Sequence, residues 1–342
     1  MQEKTLSRIV RRKSRSLILL AGLAVAIWTF LKVIPNHGGT PRAPDAAAPQ
    51  EVVDTAGQDY YRDAFTLIDL PPEDLVDAIP ELGGLAPAAG QQELPGLLAR
   101  MWDGVEGAFR KFTEVIADEH VAQEQCDPYG HRRTTPGQDF RYLIVPHIGA
   151  QNEHVDEYRV GRDGKALPAS AAGLSFGQGF AAMWALLHPG DQSGSRFRYL
   201  GEQEVDRRTV DVLGFAQRPG WATVVGYENL AVTGERVPEL YQGIVWVDKG
   251  TNKVMKMRAE LLKPRLDIQL EMQTTEIQFG EVHLSDAAST ALWVPLRVSV
   301  TTVWDGHTLR DEHVYSNYRL PQANSVIVPV PAKPVALPHD EH

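Results

Sequence analysis

The stretch from Gly173 to Leu187, GLSFGQGFAAMWALL, superposes two spacings that carry chemistry. Gly173-x-Ser175-x-Gly177 is the spacing of a nucleophile elbow, a sharp strand-to-helix turn that exposes a serine hydroxyl to a histidine base and an acid. In the chain order such hydrolases use, Asp206 or Asp211, and then His283, His307 or His313, are the partners that follow Ser175. Gly177-x-Gly179-x-x-Ala182 is the spacing of a dinucleotide loop, whose glycines let the backbone approach a pyrophosphate at a helix N-terminus.

Both chemistries need a buried strand delivering the motif and a helix leaving it, inside a parallel sheet interleaved with helices. The residues before Ser175, GKALPASAA, contain Pro168 among alanines and make a poor central strand. A helix start accounts for the motif instead. Ser175 and Gln178 form a Ser-x-x-Gln capping box, and Phe176, Phe180, Met183, Trp184 and Leu187 share one helical face that stops before Pro189-Gly190. A serine esterase is therefore only a remote alternative, and no catalytic residue is assigned.

Metal and cofactor chemistry finds no better footing. His120, His131, His147 and His154 fall neither on adjacent helical turns nor as His-x-His, and the terminal HDEH has no element to fix its geometry. Cys126, alone among 342 residues, excludes an internal disulfide, a cysteine zinc site and a Cys-x-x-Cys-His haem attachment. No cofactor or metal is expected.

The charge is unevenly placed. The first 50 residues carry eight basic and two acidic side chains, and the remainder carries 26 basic and 42 acidic. A body this acidic repels phosphate backbones, so nucleic acid is not expected as a partner. Residues 1–15 read as a basic cytoplasmic terminus and residues 16–34 as a transmembrane helix, with Leu17, Leu20, Trp28, Phe30 and Lys32 as anchor residues. The run from Leu17 to Ile34 would span roughly 27 Å as a helix, close to the hydrocarbon thickness, with Lys32 placed to snorkel. A cleaved signal peptide, with Ala24-Val25-Ala26 before the cut, is the competing reading. Against it, Ile27, Trp28, Phe30 and Leu31 carry the apolar run past that cut. Six basic residues before the span put the N-terminus in the cytoplasm and the rest outside it, which for a bacterial chain is the periplasmic side of the inner membrane.

Residues 35–93 read as a linker, first Pro/Ala-rich and then acidic, with ten acids and only Arg62 as a base between Glu51 and Glu93. Its Tyr60, Tyr61, Phe65 and Leu75 are candidate partner-docking residues. So are Val328 and Val330 in residues 321–342, a Pro-rich extended tail. Between these lies the folded domain, residues 94–320. It opens with an amphipathic helix predicted to run from Leu97 to Ile116, on the spacing of Leu97, Leu98, Met101, Trp102, Val105, Phe109 and Phe112.

Short alternating runs follow, among them QDFRYLIVPHI, RFRYLGEQEV and RTVDVLGFAQ. One hairpin is predicted to turn at Lys249 to Asn252. Another turns at Asp305-Gly306, pairing Trp304 with His307 and placing Leu296, Val298, Val300 and Thr302 on one covered face. The fold class is α+β, mainly β: a curved antiparallel sheet or incomplete barrel with covering helices, plus the N-terminal transmembrane helix.

From about Arg196 to Leu320 the chain resembles the bacterial outer-membrane lipoprotein-sorting superfamily, the LolA/LolB-like fold. The resemblance rests on YLGEQEVDRRTVDVLGF, GIVWVDKGTNKVMKMRAELL, TTEIQFGEV and ALWVPLRVSVTTVWDG. Within these, Trp246-Val247-Asp248 before a threonine-containing turn and Trp293-Val294-Pro295 opening a strand match the superfamily's pattern. It implies an incompletely closed barrel with helices across its mouth and an apolar lining that receives acyl chains. Two departures matter: a diffusing carrier has its signal removed, and a receptor lipoprotein carries a lipidated cysteine. A domain fixed by its own helix cannot shuttle. The sequence therefore favours a non-enzymatic, membrane-anchored scaffold subunit bracing an integral inner-membrane complex of respiratory or photosynthetic type. The alternative is lipid or lipoprotein binding in the cavity. The partners this implies are integral inner-membrane proteins and membrane lipids, with an acyl chain as ligand in the alternative.

Overall fold

A computed structural model describes residues 59–111, 115–147, 154–162, 180, 183, 186–222, 226–229, 236–284 and 287–320. The anchor residues Leu17, Leu20, Trp28, Phe30 and Lys32, the tail residues Val328 and Val330, and Ser175 lie outside them. Among the described residues no helix is long and apolar enough to cross a membrane.

The elements, in chain order, are α1 (Pro72–Ala78), β1 (Ala86–Pro87), α2 (Leu94–Lys111), β2 (Val115–Cys126), β3 (Arg132–His147), β4 (His154–Gly161), β5 (Ser195–Val205), β6 (Arg208–Gln217), β7 (Gly226–Asn229), β8 (Arg236–Glu239), β9 (Tyr241–Asp248), β10 (Val254–Leu261), β11 (Leu270–Leu284), β12 (Ala287–Trp304) and β13 (His307–Arg319). Eleven strands form one antiparallel sheet in the order β1-β5-β6-β9-β10-β11-β12-β13-β2-β3-β4, and β7 and β8 pair separately. The large sheet is open, with β1 and β4 at its edges. The mainly β, antiparallel reading and the hairpin order of the C-terminal half agree with this topology.

The hairpin turns have the backbone their residues require. Asp305 and Gly306 sit at φ 47° and 70°, the left-handed pair of a primed turn, and Trp304 faces His307 across it. The β9–β10 turn closes with Asn252 at φ 56°, while the Asp248 carboxylate accepts from the Thr251 N–H at 2.7 Å. Leu296 departs from the predicted face. The β11–β12 register slips there, Gln278 facing Arg297 and Phe279 facing Pro295, so this bulge turns Leu296 outward while Val298 and Val300 stay buried.

The main core lies on the inner face. Leu97, Met101 and Val105, four apart along α2, pack onto Leu213, Phe215, Tyr241, Val245 and Met257, and Phe180, Met183, Leu186 and Leu187 join the same cluster. α2 is shorter than the apolar spacing predicts. Val115 and Ile116 belong to β2, where they pair with Ile144 and Leu143 of β3. β-branched residues pack well on a pleated sheet, and two paired neighbours outweigh one more helical turn.

Within the segment read as a linker, the described residues 59–93 are part of the fold. Residues 59–87 cross the outer face of β5, β6 and β9. Leu75, Ile79 and Leu82 pack on Leu200, Val212, Ile244 and Trp246, and Tyr61 and Ile68 pack on Ala216, Leu240 and Leu262. β9 is thus covered on both faces, and all eight of its residues are buried. The second cover also answers to the polar groups beneath it. The Trp246 indole donates to Gln203 Oε1 at 2.8 Å, and the Gln203 amide donates to the carbonyls of Glu81 and Gly83, both at 2.8 Å.

Candidate functional site

Two inner-face regions concentrate chemistry. The first is a groove of about 250 Å³ between the second half of α2 and the sheet end that carries the β9–β10 turn. α2 contributes Val105, Gly107 and Ala108, and the sheet contributes Val254, Phe279, Leu292 and Trp293. Two glycines set the gap. A Cβ on Gly104 would stand 3.1 Å from the Asn252 carbonyl, so glycine lets the helix sit close on the turn, where Arg100 Nε also donates to Asn252 Oδ1 at 3.1 Å. Gly107 is exposed, and a Cβ on it would meet nothing within 4 Å, so it borders open space at the edge of the groove.

Trp293 forms a wall whose orientation is fixed by its indole N–H, which donates to the Val254 carbonyl at 2.7 Å. Lys253 stands at the rim, its Nζ 4.7 Å from the centre of the Trp293 ring and 3.3 Å from Glu281 Oε2. The groove therefore pairs apolar walls with a polar edge made by Asp103, Thr251 and the half-neutralised Lys253. Replacing Gly107 by alanine is expected to stabilise α2 by up to about 1 kcal/mol, since glycine is a poor helix former and the new methyl meets no neighbour. Thermal denaturation against the wild type checks this.

The second region is polar and closed. Glu119 of β2, its side chain fully buried, accepts from Arg159 Nε at 2.7 Å and from Arg159 Nη2 at 3.0 Å, a two-pronged pair. His313 Nδ1 lies 2.8 Å from Glu119 Oε1, and the Tyr315 hydroxyl donates to the same oxygen at 2.9 Å. Arg159 also lies 5.2 Å from the centre of the Tyr142 ring, which packs against Phe180 and Tyr315. Burial pushes the Glu119 carboxyl upward, but the Arg159 charge and the hydrogen bonds from His313 and Arg159 outweigh it and hold the group at about 2. Beside it the Gln123 amide donates to Asp311 Oδ1 at 2.8 Å.

Among the described residues, which do not include Ser175, the acid and base candidates of a hydrolytic triad are not brought together: the carboxylate partner of His313 is Glu119, not Asp206 or Asp211. Asp211 accepts from the Tyr199 hydroxyl at 2.9 Å, and burial raises its carboxyl above the usual range. Asp206 lies in the β5–β6 turn, His283 near the end of β11, and His307 at the start of β13. Among the described residues no group of His, Cys, Asp or Glu could hold a metal ion.

The partner-docking candidates divide. Tyr61 and Leu75 are buried in the chain's own core and present nothing to a partner, because the outer sheet face uses them first. The Tyr61 hydroxyl donates to the Pro238 carbonyl at 3.1 Å. Tyr60 is held beneath Lys263 and Arg265, whose cationic groups lie 4.5 and 4.3 Å from its ring centre, and its hydroxyl donates to the Pro264 carbonyl. Phe65 alone of the four stays open, at 66% exposure. Sequence reasoning missed the groove residues Gly107 and Lys253 and the acid–base pair Glu119 and Arg159. Their signals, a glycine inside an otherwise regular helix and charged residues at alternating strand positions, emerge only once the pairing partners are known.

No family model matches the chain, and no curated protein matches it. Among solved structures it is similar to a DUF1329 family protein from Desulfovibrio piger, at 15% identity over 67% of this chain and 92% of that one, with a TM-score of 0.34. It is also similar to a putative outer membrane lipoprotein-sorting protein domain from Vibrio parahaemolyticus, at 14% identity over 66% and 95%, TM-score 0.31. A LolA superfamily protein from Nitrosomonas europaea follows, at 10% identity over 66% and 94%, TM-score 0.30. Two of these three bear lipoprotein-sorting or LolA names. Likeness at this level concerns the outline of the fold and carries no argument about a ligand, which rests on the chain's own groove.

Proposed function

We propose that the groove beneath α2 binds part of an alkyl chain, from a lipid or an acylated polypeptide, with the polar end of the ligand at Lys253. The observation that carries this is the groove itself, walled by Val105, Phe279, Leu292 and Trp293, with the exposed Gly107 at its edge. At about 250 Å³ the groove is just below the range of roughly 300–1,000 Å³ for small-molecule sites, so it suits one chain segment rather than a whole diacyl lipid. A negatively charged head group would compete with Glu281 for Lys253, which gives the chain a preferred direction of entry.

The bracing role expected from the sequence drew on the anchor, the acidic strap and the Pro-rich tail; of the strap's docking candidates Tyr61 and Leu75 are committed to the chain's own sheet and Phe65 stays exposed. The alkyl-chain reading needs only the groove. Titration calorimetry with a series of n-alkyl carboxylates tests it. Each methylene buried contributes about 0.8 kcal/mol, so affinity rises about fourfold per added carbon and then levels off once the groove is filled. Gly107→Phe fills the space and abolishes the rise. A chain-length dependence that Gly107→Phe leaves intact, or none at all, overturns the proposal.

A further inference from the structure

The four most exposed large hydrophobic side chains among the described residues are Tyr129 at 85%, Trp221 at 68%, and Phe65 and Leu266 at 66% each. All four stand at the same end of the sheet, the end opposite the groove. Tyr129 is in the β2–β3 turn, which touches the β12–β13 turn where Gly306 approaches Pro128. That second turn bonds to the β10–β11 connection through Asp305 N–H and the Gln269 carbonyl, 3.0 Å apart. Leu266 lies in this connection, and its N–H donates to the Tyr60 hydroxyl at 3.3 Å. Phe65 follows Tyr61 by one turn, and Trp221 follows the end of β6, where Ala222 packs on the Tyr61 cluster. Single exposed hydrophobics are ordinary; the four largest exposures gathered on one rim are not.

The chain itself also arrives there. Asp59, the first described residue, precedes Tyr60, which is fixed to the same rim by Lys263 and Pro264. We infer that this rim rests on a lipid bilayer, the one that residues 16–34 are expected from the sequence to cross, with Phe65, Tyr129, Trp221 and Leu266 entering the interfacial layer. Residues 35–58 reach roughly 80 Å when extended, so the link alone does not press this end to the membrane, and the exposed side chains decide the orientation. Aromatic side chains with a cation alongside suit the membrane–water boundary, and Arg218 lies 4.8 Å from the Trp221 ring centre. On the rim Asp59 pairs with Arg62 and Asp267 with Arg265, while Asp63, Glu271 and Asp305 add acidic charge, so apolar contact and not charge attraction holds the rim down. The groove then faces away from that bilayer.

The test uses the full chain reconstituted in vesicles of phosphatidylcholine and phosphatidylglycerol. In a Cys126→Ser background, Trp221→Cys, Leu266→Cys and Phe65→Cys each carry an environment-sensitive fluorophore, and Arg207→Cys in the opposite β5–β6 turn is the control. The three rim labels are expected to shift to the blue and to be quenched by nitroxide lipids, and the control is not. Hydroxyl-radical footprinting of the unmodified chain gives the same comparison without substitution, with Tyr129 and Trp221 protected in vesicles. Rim labels as open to aqueous quencher as the control overturn the inference. Protection found in native membranes but not in protein-free vesicles also overturns it and assigns the rim to a protein partner. The outcome is independent of the alkyl-chain reading, because the labelled rim and the groove lie at opposite ends.

Discussion

Replacing Arg159 by leucine is expected to destabilise the folded domain by about 3–5 kcal/mol, because it strands the fully buried Glu119 carboxylate with its main counter-charge removed. The His313 and Tyr315 hydrogen bonds to Glu119 remain, without the two-pronged pair that Arg159 supplies. Denaturant unfolding checks the value, and a loss under about 1 kcal/mol would mean that the pair is not the dominant interaction there. The double variant Glu119→Leu, Arg159→Leu should recover much of the loss, since an apolar pair of similar volume leaves no buried charge.

The same group gives the domain an acid sensitivity whose sign is fixed. Glu119 is held at about 2 in the folded chain against an ordinary value of 4.5, so its contribution is fully present above pH 4.5 and is lost as pH falls from there to about 2. The difference corresponds to about 3 kcal/mol. Unfolding midpoints measured across that window should fall steeply for the wild type and less so for Glu119→Gln. Equal slopes would assign the acid sensitivity to other carboxylates.

The strand that carries Glu119 also marks where the sequence stops being legible. Asp305-Gly306 announced its hairpin because a primed turn restricts which residues can occupy it, and the Lys249 to Asn252 turn did so for a similar reason. β2 did not. Its inward positions are Val115, Ala117, Glu119, Val121 and Gln123, all buried, so two of the five are polar and the alternation that betrays a strand is hidden. Those side chains face inward because Arg159 and Asp311, both far away in sequence, supply partners for them. The buried ionic pair breaks the hydrophobic pattern of the strand that carries its acid. The groove was illegible for a related reason: the vacancy at Gly107 is a property of what lies across from it. The tryptophan motifs fared better, since Trp246 and Trp293 take their places by local strand order and by bonds to Gln203 and Val254.

Truncating Leu75 to alanine is the sharpest test of the strap's real role, with an expected loss of about 2–5 kcal/mol of domain stability. Leu75 is completely buried, as are Ile79 and Leu82, and the three form one side of a cluster whose other side is Leu200, Val212, Ile244 and Trp246. An acidic segment with few apolar residues reads as solvated chain, yet those few are spaced so that α1 and the turn after it set all three on β5, β6 and β9. Without them the outer face of β9 would expose Ile244 and Trp246. The strap is therefore a second layer of the domain. Urea unfolding of Leu75→Ala should show the midpoint falling, and limited proteolysis should show cleavage within residues 59–87 before the sheet is attacked. Phe65→Ala, at an exposed position of the same segment, should leave both readouts near the wild type. An unchanged midpoint for Leu75→Ala, together with a lost association between this chain and a partner protein, would return the strap to a docking role.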